Sequence, residues 1–303
     1  MTNFVLVLIG AADGGDSVAE AVREISAVES GVAWRDPHWL SPGEACELPF
    51  AASDEAAARA LQEAAAMRWR EAPIDICVVP ADGRRKGLLI ADMDSTIIQQ
   101  ECIDEMADML GLKARIAAIT ERAMRGELPF EAALTERLAL IAGLAEGDLQ
   151  RVFDERITLM PGARTLIATM RAAGAFTALV SGGFSFFTSR VAATVGFDVN
   201  RANTLEVTDG RLTGRVVGAI LGREAKLAAL EHYRGERGLA ASATLAVGDG
   251  ANDLAMIKAA GLGVAYRAKP VVAAEAHAGI TYGDLTALLY LQGFTRAEFV
   301  DCG

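Results

Sequence analysis

Cysteine and histidine are both scarce in this 303-residue chain. The cysteines are Cys46, Cys77, Cys102 and Cys302, and the histidines are His38, His232 and His277. Successive cysteines lie 31, 25 and 200 positions apart, which matches neither a zinc-ligand spacing nor a redox-active pair. We therefore expect free thiols in a reducing compartment, and neither a histidine-based metal site nor a Ser-His-Asp triad.

Positive charge and long apolar runs are also in short supply. The 29 Lys and Arg are outnumbered by 40 Asp and Glu, which leaves a formal net charge of −11. No cluster of cations is interleaved with aromatic residues, so we expect no nucleic-acid partner. No run approaches the roughly 18 apolar residues that a bilayer span needs. The apolar stretch at 4–9 is too short for a signal peptide, and we expect a cytoplasmic protein without a membrane partner.

The first 80 residues have the pattern of a small α+β domain. Apolar strands are predicted at 4–9 and 74–79, and helical spacing of apolar residues at 17–28 and 54–69 predicts two helices with an extended middle between them. A stretch with a proline, an Asp-Gly pair and three consecutive cations follows at 80–87 and indicates a linker.

From Leu88 onward the pattern changes to alternating strands and helices. Apolar runs at 88–92, 175–180, 244–249 and 262–266 are typical of a parallel sheet covered on both faces. The interval 98–157 is mostly helical and far longer than an ordinary crossover, which predicts an inserted helical cap. An Asp-Gly pair within 207–216 predicts a hairpin. The predicted fold is a doubly wound, Rossmann-like α/β domain over 85–303.

Acidic residues follow the first of these strands. Asp92 and Asp94 lie two positions apart where a parallel strand ends, which is the edge of the sheet that binds ligands in open α/β folds. Side chains two apart on an extended chain point the same way, so these carboxylates could share a divalent cation. The alternative is an acidic turn in which Asp94 or Ser95 caps the next helix.

Two further strand ends carry polar residues. Gly248–Asp253 supplies carboxylate and amide oxygens, the ligands that suit Mg²⁺, although a plain strand-to-helix loop would explain its glycines. Ser181-Gly182-Gly183 offers a hydroxyl and backbone N–H groups for an anion, or it is simply a turn. Ser181 lacks the Gly-x-Ser-x-Gly context of a hydrolase nucleophile.

Four motifs occur together in the order seen in the haloacid dehalogenase (HAD) superfamily of phosphotransferases. They are DxDxT at 92–96, Ser181 with Gly182, Lys226, and GDGxND at 248–253. Within that superfamily, the segments at 92–107, 124–141 and 180–184 resemble the phosphoserine phosphatase family. Residues 1–80 are more weakly similar to the ACT-like regulatory module found ahead of many bacterial members.

The resemblance implies a role for each matching residue at the phosphate. Asp92 would be the nucleophile that forms an aspartyl phosphate, and Asp94 the general acid and base. Mg²⁺ would be held by Asp92, the backbone carbonyl of Asp94 and Asp249, with Asp253 and Asn252 orienting those ligands or the substrate. Ser181, Gly182 and Lys226 would hold the phosphoryl oxygens. Taken alone, Lys226 would be interpreted as an exposed helix cation.

The cap would select the substrate. By resemblance, Glu101 meets the substrate ammonium, Arg137 forks onto the carboxylate, and Met124 and Phe130 shield the site. The alternative is that Glu101 and Arg137 are solvated helix charges and that the two apolar residues are cap core.

These expectations amount to Mg²⁺-dependent hydrolysis of O-phospho-L-serine to L-serine, the last step of serine biosynthesis. The alternatives are phosphoryl transfer to homoserine, a broader small-molecule phosphatase, or an amino-acid sensor with vestigial catalysis. A homodimer through residues 1–80 is left open, no role is assigned to 291–303, and residues 1–80 are expected to be removable without loss of the chemistry.

Overall fold

Two β-sheets organise the chain, of which a computed structural model describes residues 1–11, 16–28, 32–124 and 127–301. The first sheet and its helices comprise β1 (Thr2–Gly10), α1 (Ser17–Val28), β2 (His38–Ser41), β3 (Ala45–Ala52), α2 (Glu55–Arg68) and β4 (Ile74–Pro80). The sheet is antiparallel, in the order β2-β3-β1-β4. This βαββαβ arrangement is ferredoxin-like, and its hairpin β2–β3 occupies the middle that we predicted to be merely extended.

Strand β1 is buried on both of its faces. Leu6 and Leu8 pack with the residues of α1 and α2 in one apolar cluster. Val5 and Val7 point to the opposite face, as alternation along a strand requires, and belong to a second, larger cluster. The first sheet is therefore a middle layer that has apolar material on either side.

The second sheet has seven strands, namely β5 (Leu88–Ala91), β6 (Phe176–Phe184), β7 (Val199–Thr208), β8 (Arg211–Val217), β9 (Thr244–Gly248), β10 (Leu262–Tyr266) and β11 (Ala278–Ile280). Their order is β11-β10-β9-β5-β6-β7-β8. All neighbours are parallel except β7 and β8, which form the predicted hairpin around Asp209 and Gly210. The order reverses beside β5, the strand that precedes the first acidic motif.

Ten helices accompany this sheet in the part of the chain that the structure describes. Four belong to the insertion, namely α3 (Cys102–Asp108), α4 (Lys113–Met124), α5 (Phe130–Leu140) and α6 (Glu146–Arg156). The others are α7 (Ala163–Ala172), α8 (Ser185–Val195), α9 (Arg223–Glu236), α10 (Leu254–Ala259), α11 (Pro270–Ala273) and α12 (Ala287–Leu291). Short 3₁₀ turns occur at Ala241–Ala243, Ala251–Asp253 and Arg296–Glu298. Helices α7 and α8 pack on one face and α9 and α10 on the other, so the predicted fold class is confirmed.

The C-terminal segment lies between the two sheets. All five residues of α12 are buried, and they share one apolar cluster with Val5 of the first sheet and with Leu166 of α7. The sequence analysis assigns no role to residues 291–303, but the structure gives part of this segment a packing role, because Leu291 and Phe294 are core residues. The two sheets are therefore joined through a common core.

Polar contacts reinforce the junction. Asp75 of β4 accepts hydrogen bonds from the backbone N–H groups of Thr281 and Gly283, each at 2.8 Å. Arg84 lies 2.6 Å from Glu47 of β3 and donates to the carbonyls of Tyr290 and Leu291. A shared core with such contacts argues against our expectation that residues 1–80 can simply be removed.

Two sequence expectations concern the cysteines and the membrane. Cys46, Cys77 and Cys102 are free, as predicted, and all three are buried, while Cys302 lies outside the described residues. Within the described ranges, none of the helices combines the length and apolarity needed to cross a bilayer.

Candidate active site

The carboxyl ends of three adjacent strands create one polar edge. Strand β5 lies between β6 and β9, and Ala91 pairs with Leu179 on one side and Val247 on the other. The residues that follow these three positions therefore emerge side by side. They line a cavity of about 870 Å³ that the cap covers from above, and its wall includes Asp92, Asp94, Ser181, Gly182 and Asp249.

Lys226 is buried at the base of this edge. It projects from α9 with only 1% of its surface exposed, and its Nζ lies 2.7 Å from Asp92 Oδ1 and 2.6 Å from Asp253 Oδ1. Burial disfavours the charged amine, but the carboxylates of Asp253 and Asp92 more than offset it, so the pKa of Lys226 lies above its usual range. The interpretation of Lys226 as an exposed cation on a helix is therefore wrong.

A metal ion fits the carboxylates beside Lys226. Oxygen atoms of Asp92, Asp249 and Asp253 lie within 4.8 Å of one another. One ammonium does not balance three carboxylates. Burial and the charge of Asp92 accordingly raise the pKa of Asp249 to about 6 and that of Asp253 to about 7. A divalent cation with a preference for oxygen would neutralise the surplus negative charge.

The three carboxylates differ in their freedom to bind a metal. Both oxygens of Asp253 already have partners, since Oδ1 contacts Lys226 and Oδ2 accepts the Gly250 N–H at 3.1 Å. Asp92 Oδ1 contacts Lys226 and accepts the N–H of Met93 at 2.8 Å. The arrangement leaves an oxygen of Asp92 and the carboxylate of Asp249 for an ion, and it makes Asp253 a support for Lys226.

Asp94 is placed for proton transfer. Its Oδ1 accepts the Cys102 N–H at 3.0 Å, and its Oδ2 accepts the hydroxyl of Ser181 at 3.3 Å. Burial and the nearby charge of Asp92 raise its pKa to about 6. A carboxyl group with a pKa in this range can both give and take a proton near neutral pH.

Residues Ser181–Gly183 lie at the end of β6, where they leave its regular pairing with β7, and we call this segment the 181–183 turn; close neighbours favour glycine in it. The Gly183 N–H donates to Ser181 Oγ at 2.8 Å. A Cβ on Gly183 would lie 2.8 Å from Asp94 Oδ2, and one on Gly182 would lie 3.1 Å from the ring of Phe130. The turn thus brings backbone amides to the cavity wall, two residues before α8 begins.

The cap residues predicted to meet the substrate line the same cavity. Glu101 accepts the hydroxyl of Ser95 at 2.7 Å. Withdrawal from bulk water and then the charge of Asp94 raise the pKa of Glu101 to about 8. Arg137 of α5 also faces the cavity, and its Nε donates to the Ala133 carbonyl at 3.3 Å. The cap thus presents an acidic group, Glu101, and a basic group, Arg137, to the cavity at the strand ends.

Of the remaining predicted residues, Phe130 and Asn252 line this cavity. Phe130 opens α5 and lies over Gly182, and Asn252 lines the wall from the 3₁₀ turn after β9. Met124 is the last residue of α4, and its side chain lies outside the described part of the structure.

Sequence reasoning did not single out Lys269 in the cavity wall or Asn203 behind it. Lys269 lines it, and its backbone N–H donates to the Asp249 carbonyl at 3.3 Å. The strand-end rule could have found it, since it lies three residues beyond the predicted strand 262–266. Asn203 supports the wall from β7, and no local signal marks a strand asparagine as special.

Comparison with known proteins agrees with this geometry. The family of haloacid dehalogenase-like hydrolases matches residues 89–258, which is more than half of the chain. The chain belongs to that family. Its curated relatives include phosphoserine phosphatases. One from Streptococcus thermophilus is 47% identical over 200 residues, covering 66% of this chain and 93% of the relative.

A second phosphoserine phosphatase, from Streptomyces coelicolor, is 47% identical over 227 residues. The match covers 74% of this chain, which spans about half (55%) of that longer relative.

Solved structures give the same result. A HAD-family hydrolase from Salmonella enterica serovar Typhi has a TM-score of 0.83 and 32% identity and covers 96% of this chain and 98% of its own. That match therefore includes the first sheet. A phosphoserine phosphatase structure described as a phospho-aspartyl intermediate analogue has a TM-score of 0.64 and 38% identity, with 68% of this chain and 98% of its own covered.

Proposed function

We propose that this protein hydrolyses O-phospho-L-serine to L-serine and phosphate, the last step of serine biosynthesis. The observation that carries the proposal is the placement of Asp92 and Asp94 at one strand end, beneath a cap that presents Glu101 and Arg137 to the same cavity. The first pair suits the chemistry at phosphorus, and the second pair suits the two charges of an amino acid. Similarity to the phosphoserine phosphatases supports the same substrate.

Asp92 acts as the nucleophile in this proposal. One of its carboxylate oxygens attacks phosphorus, the bond from phosphorus to the serine oxygen breaks, and Asp94 supplies the proton that the departing oxygen needs. Asp94 then takes a proton from water, which attacks the aspartyl phosphate and releases inorganic phosphate. The same group serves in both directions because its pKa, raised to about 6, lies close to neutral pH.

Charge is the main obstacle to this attack. A phosphomonoester brings about −1.5 to −2 charge near neutral pH, and Asp92 must approach it while ionised. Lys226 remains protonated and holds Asp92 at 2.7 Å, while Ser181 and the amide of Gly182 face the phosphoryl oxygens. Mg²⁺ bound by Asp92, the Asp94 carbonyl and Asp249 would further neutralise the developing charge.

The amino-acid part of the substrate is recognised by the cap. Glu101 pairs with the substrate ammonium, whose positive charge opposes the causes that raise the pKa of Glu101 and favours the ionised carboxylate. The planar guanidinium of Arg137 makes two parallel hydrogen bonds to the substrate carboxylate. Phe130 excludes water above Gly182, and Met124 at the end of α4 is assigned the same task. Exclusion of water strengthens each of these charge pairs.

The chain divides in this proposal into an ACT-like domain at 1–80 and a phosphatase domain at 85–303, with the cap at about 98–157. A homodimer through the first domain has to use its helical layer or the edge strand β2, because the other face of the sheet packs against α12. A cytoplasmic location stays a prediction from the sequence.

The test is phosphate release from a panel of phosphomonoesters, with and without Mg²⁺ and with homoserine as an added acceptor. O-phospho-L-serine should be the best substrate, EDTA should stop turnover, and Mg²⁺ should restore it. Transfer of phosphate to homoserine would show a phosphotransferase, and a broad response would show a general phosphatase. No turnover of any ester would leave the amino-acid sensor as the alternative.

The nucleophile is tested by Asp92→Asn. We expect the loss of at least about 10³ in kcat, because an amide cannot form the acyl phosphate. The partly exposed Asp148 of α6 pairs with Arg151 away from the cavity, and Asp148→Asn, which makes the same chemical change there, should keep full activity. Normal turnover by Asp92→Asn would remove Asp92 from the nucleophile role.

A further inference from the structure

A buried asparagine lies behind the phosphate-binding turn. Asn203 of β7 is only 2% exposed. The ladder between β6 and β7 is regular up to the pair Val180–Arg201 and resumes at Phe184–Asn203. Three residues of β6 therefore correspond to one residue of β7 in this interval, and the turn 181–183 bulges out of the ladder. Its backbone groups need partners other than the neighbouring strand.

The side-chain amide of Asn203 supplies hydrogen-bond partners for this segment. Its Nδ2 donates to the Gly182 carbonyl at 2.8 Å and to the Leu221 carbonyl at 3.4 Å, and its Oδ1 accepts the Leu221 N–H at 2.7 Å. One amide thus joins two chain segments that lie far apart in sequence. The first is the turn beside Ser181, and the second leads directly into α9, which carries Lys226.

The bond to Gly182 also determines where the next amide points. A trans peptide is planar, so the C=O of Gly182 and the N–H of Gly183 point in opposite directions. With the carbonyl held by Asn203, the Gly183 N–H points away from it and donates to Ser181 Oγ at 2.8 Å. Ser181 in turn donates to Asp94. The contacts run continuously from Asn203 to the proposed general acid.

We propose that Asn203 is a positioning residue that holds the turn Ser181–Gly183 and the segment at Leu221 in the geometry that binds the phosphoryl group. The inference rests on the proposed function, because it assigns the turn to phosphate. Asn203 touches neither the substrate nor the reacting atoms. It acts on the phosphate end of any substrate and has no part in recognising the amino acid.

The sharpest variant is Asn203→Asp. It keeps the size of the side chain and an acceptor for the Leu221 N–H, but it removes the donor to Gly182 and places a carboxylate against that carbonyl. The matched control is Asn200→Asp on the same strand. The Asn200 oxygen accepts the hydroxyl of Thr188 in α8 at 3.0 Å, and a carboxylate can still accept it.

The experiment measures kcat/KM for two esters, O-phospho-L-serine and O-phosphoethanolamine. It also measures the inhibition constant of inorganic phosphate as a competitive inhibitor. We expect Asn203→Asp to lower kcat/KM at least tenfold for both esters by the same factor, and to weaken inhibition by phosphate at least tenfold. Asn200→Asp should leave all three values within about twofold. A merely structural role would lower the active fraction, and hence kcat, without changing the inhibition constant of phosphate.

Several results would overturn the inference. One is an unchanged inhibition constant in a folded Asn203→Asp protein, and another is a loss confined to O-phospho-L-serine. If Asn203→Asp does not fold, Asn203→Ala is measured in its place, and failure of both to fold shows a structural role instead. If the wild-type protein hydrolyses neither ester, the proposed function fails, while phosphate binding measured by calorimetry on the same variants still decides the role of Asn203.

Discussion

At the scale of single residues, the carboxylates at the base of the cavity outnumber the cation that contacts them. Lys226 contacts two of three clustered carboxylates, and the third, Asp249, lacks a contact with it. A buried ammonium is stable only with such partners, because burial alone would neutralise it. Burial and then the charge of Asp92 raise the pKa of Asp249 to about 6, and the surplus of negative charge makes the site receptive to a divalent cation.

Arg137 provides a test of substrate recognition at this scale. Arg137→Ala should raise KM for O-phospho-L-serine by about 10- to 100-fold, since a charge-assisted hydrogen bond contributes about 1.5–3 kcal/mol. O-phosphoethanolamine, which lacks the carboxylate, should be hydrolysed nearly as well as before. The exposed Arg115→Ala in α4 serves as the control. Equal losses on both substrates would contradict the assignment of Arg137 to the carboxylate.

His277 predicts a pH dependence of stability. Its Nδ1 accepts the Gly263 N–H at 2.9 Å, which requires the neutral ring. Burial, together with the charge of Arg59, lowers the pKa of His277. As the pH falls through the ordinary histidine value of about 6.5, the unfolded chain binds a proton that the folded protein does not, and stability falls.

The urea midpoint should therefore drop less for His277→Gln than for the wild-type protein between about pH 7.5 and 5.5. His232 is exposed, so His232→Gln serves as the control and should keep the wild-type dependence of the urea midpoint on pH. Equal slopes for His277→Gln and the wild-type protein would show that His277 does not couple protonation to folding.

At the scale of secondary-structure elements, close approach between strand and helix decides which glycines are essential. Gly263 of β10 faces the end of α10, and a Cβ there would overlap the carbonyl oxygen of Ile257. In the neighbouring strand β11, a Cβ on Gly279 would meet nothing within 4 Å. The two strands pair directly, so Gly279 provides a control position in the same sheet.

We expect Gly263→Ala to lower the free energy of unfolding by about 3 kcal/mol or more, because the clash is with backbone that cannot move alone. Gly279→Ala should change it by no more than about 0.5 kcal/mol. Thermal or urea unfolding of both variants measures the difference. Similar stabilities would mean that β10 and α10 can separate without penalty.

At the scale of the whole molecule, the C-terminal segment makes one body of the two sheets. Helix α12 fills the space between β1 and α7, and Arg84 ties its carbonyls to Glu47 of the first sheet. The Arg84 and Glu47 side chains are only 10% and 12% exposed. Without Arg84, the nearly buried Glu47 carboxylate keeps a contact with the exposed His38 at 3.0 Å but loses its permanently charged partner.

Arg84→Met should therefore lower the free energy of unfolding by about 3 kcal/mol while leaving kcat unchanged. The adjacent Arg85→Met breaks an exposed pair with Glu298 and a contact with the ring of Phe294, together about 1 kcal/mol. Chemical denaturation of the two variants gives the comparison. Equal effects would show that the junction contributes little to stability.

Much of the candidate site could be predicted from the sequence because its residues directly follow strands along the chain. Asp92 and Asp94 directly follow an apolar strand, and parallel strands deliver their ends to one edge. The order of motifs then indicated the family without any knowledge of distances. The helical insertion was likewise visible as an interval too long for a crossover.

The sequence by itself therefore determined the fold class, the edge of the sheet that carries the chemistry and the residues aligned on it. Only the tertiary structure decided that Lys226 is buried between two carboxylates, that Asn203 donates to the carbonyl of Gly182, and that α12 and Phe294 belong to the core. The physical reason is the separation along the chain of the residues that interact. Strand ends and glycine turns depend on neighbours in the chain, whereas burial and hydrogen bonding of isolated polar residues depend on segments that meet only after folding.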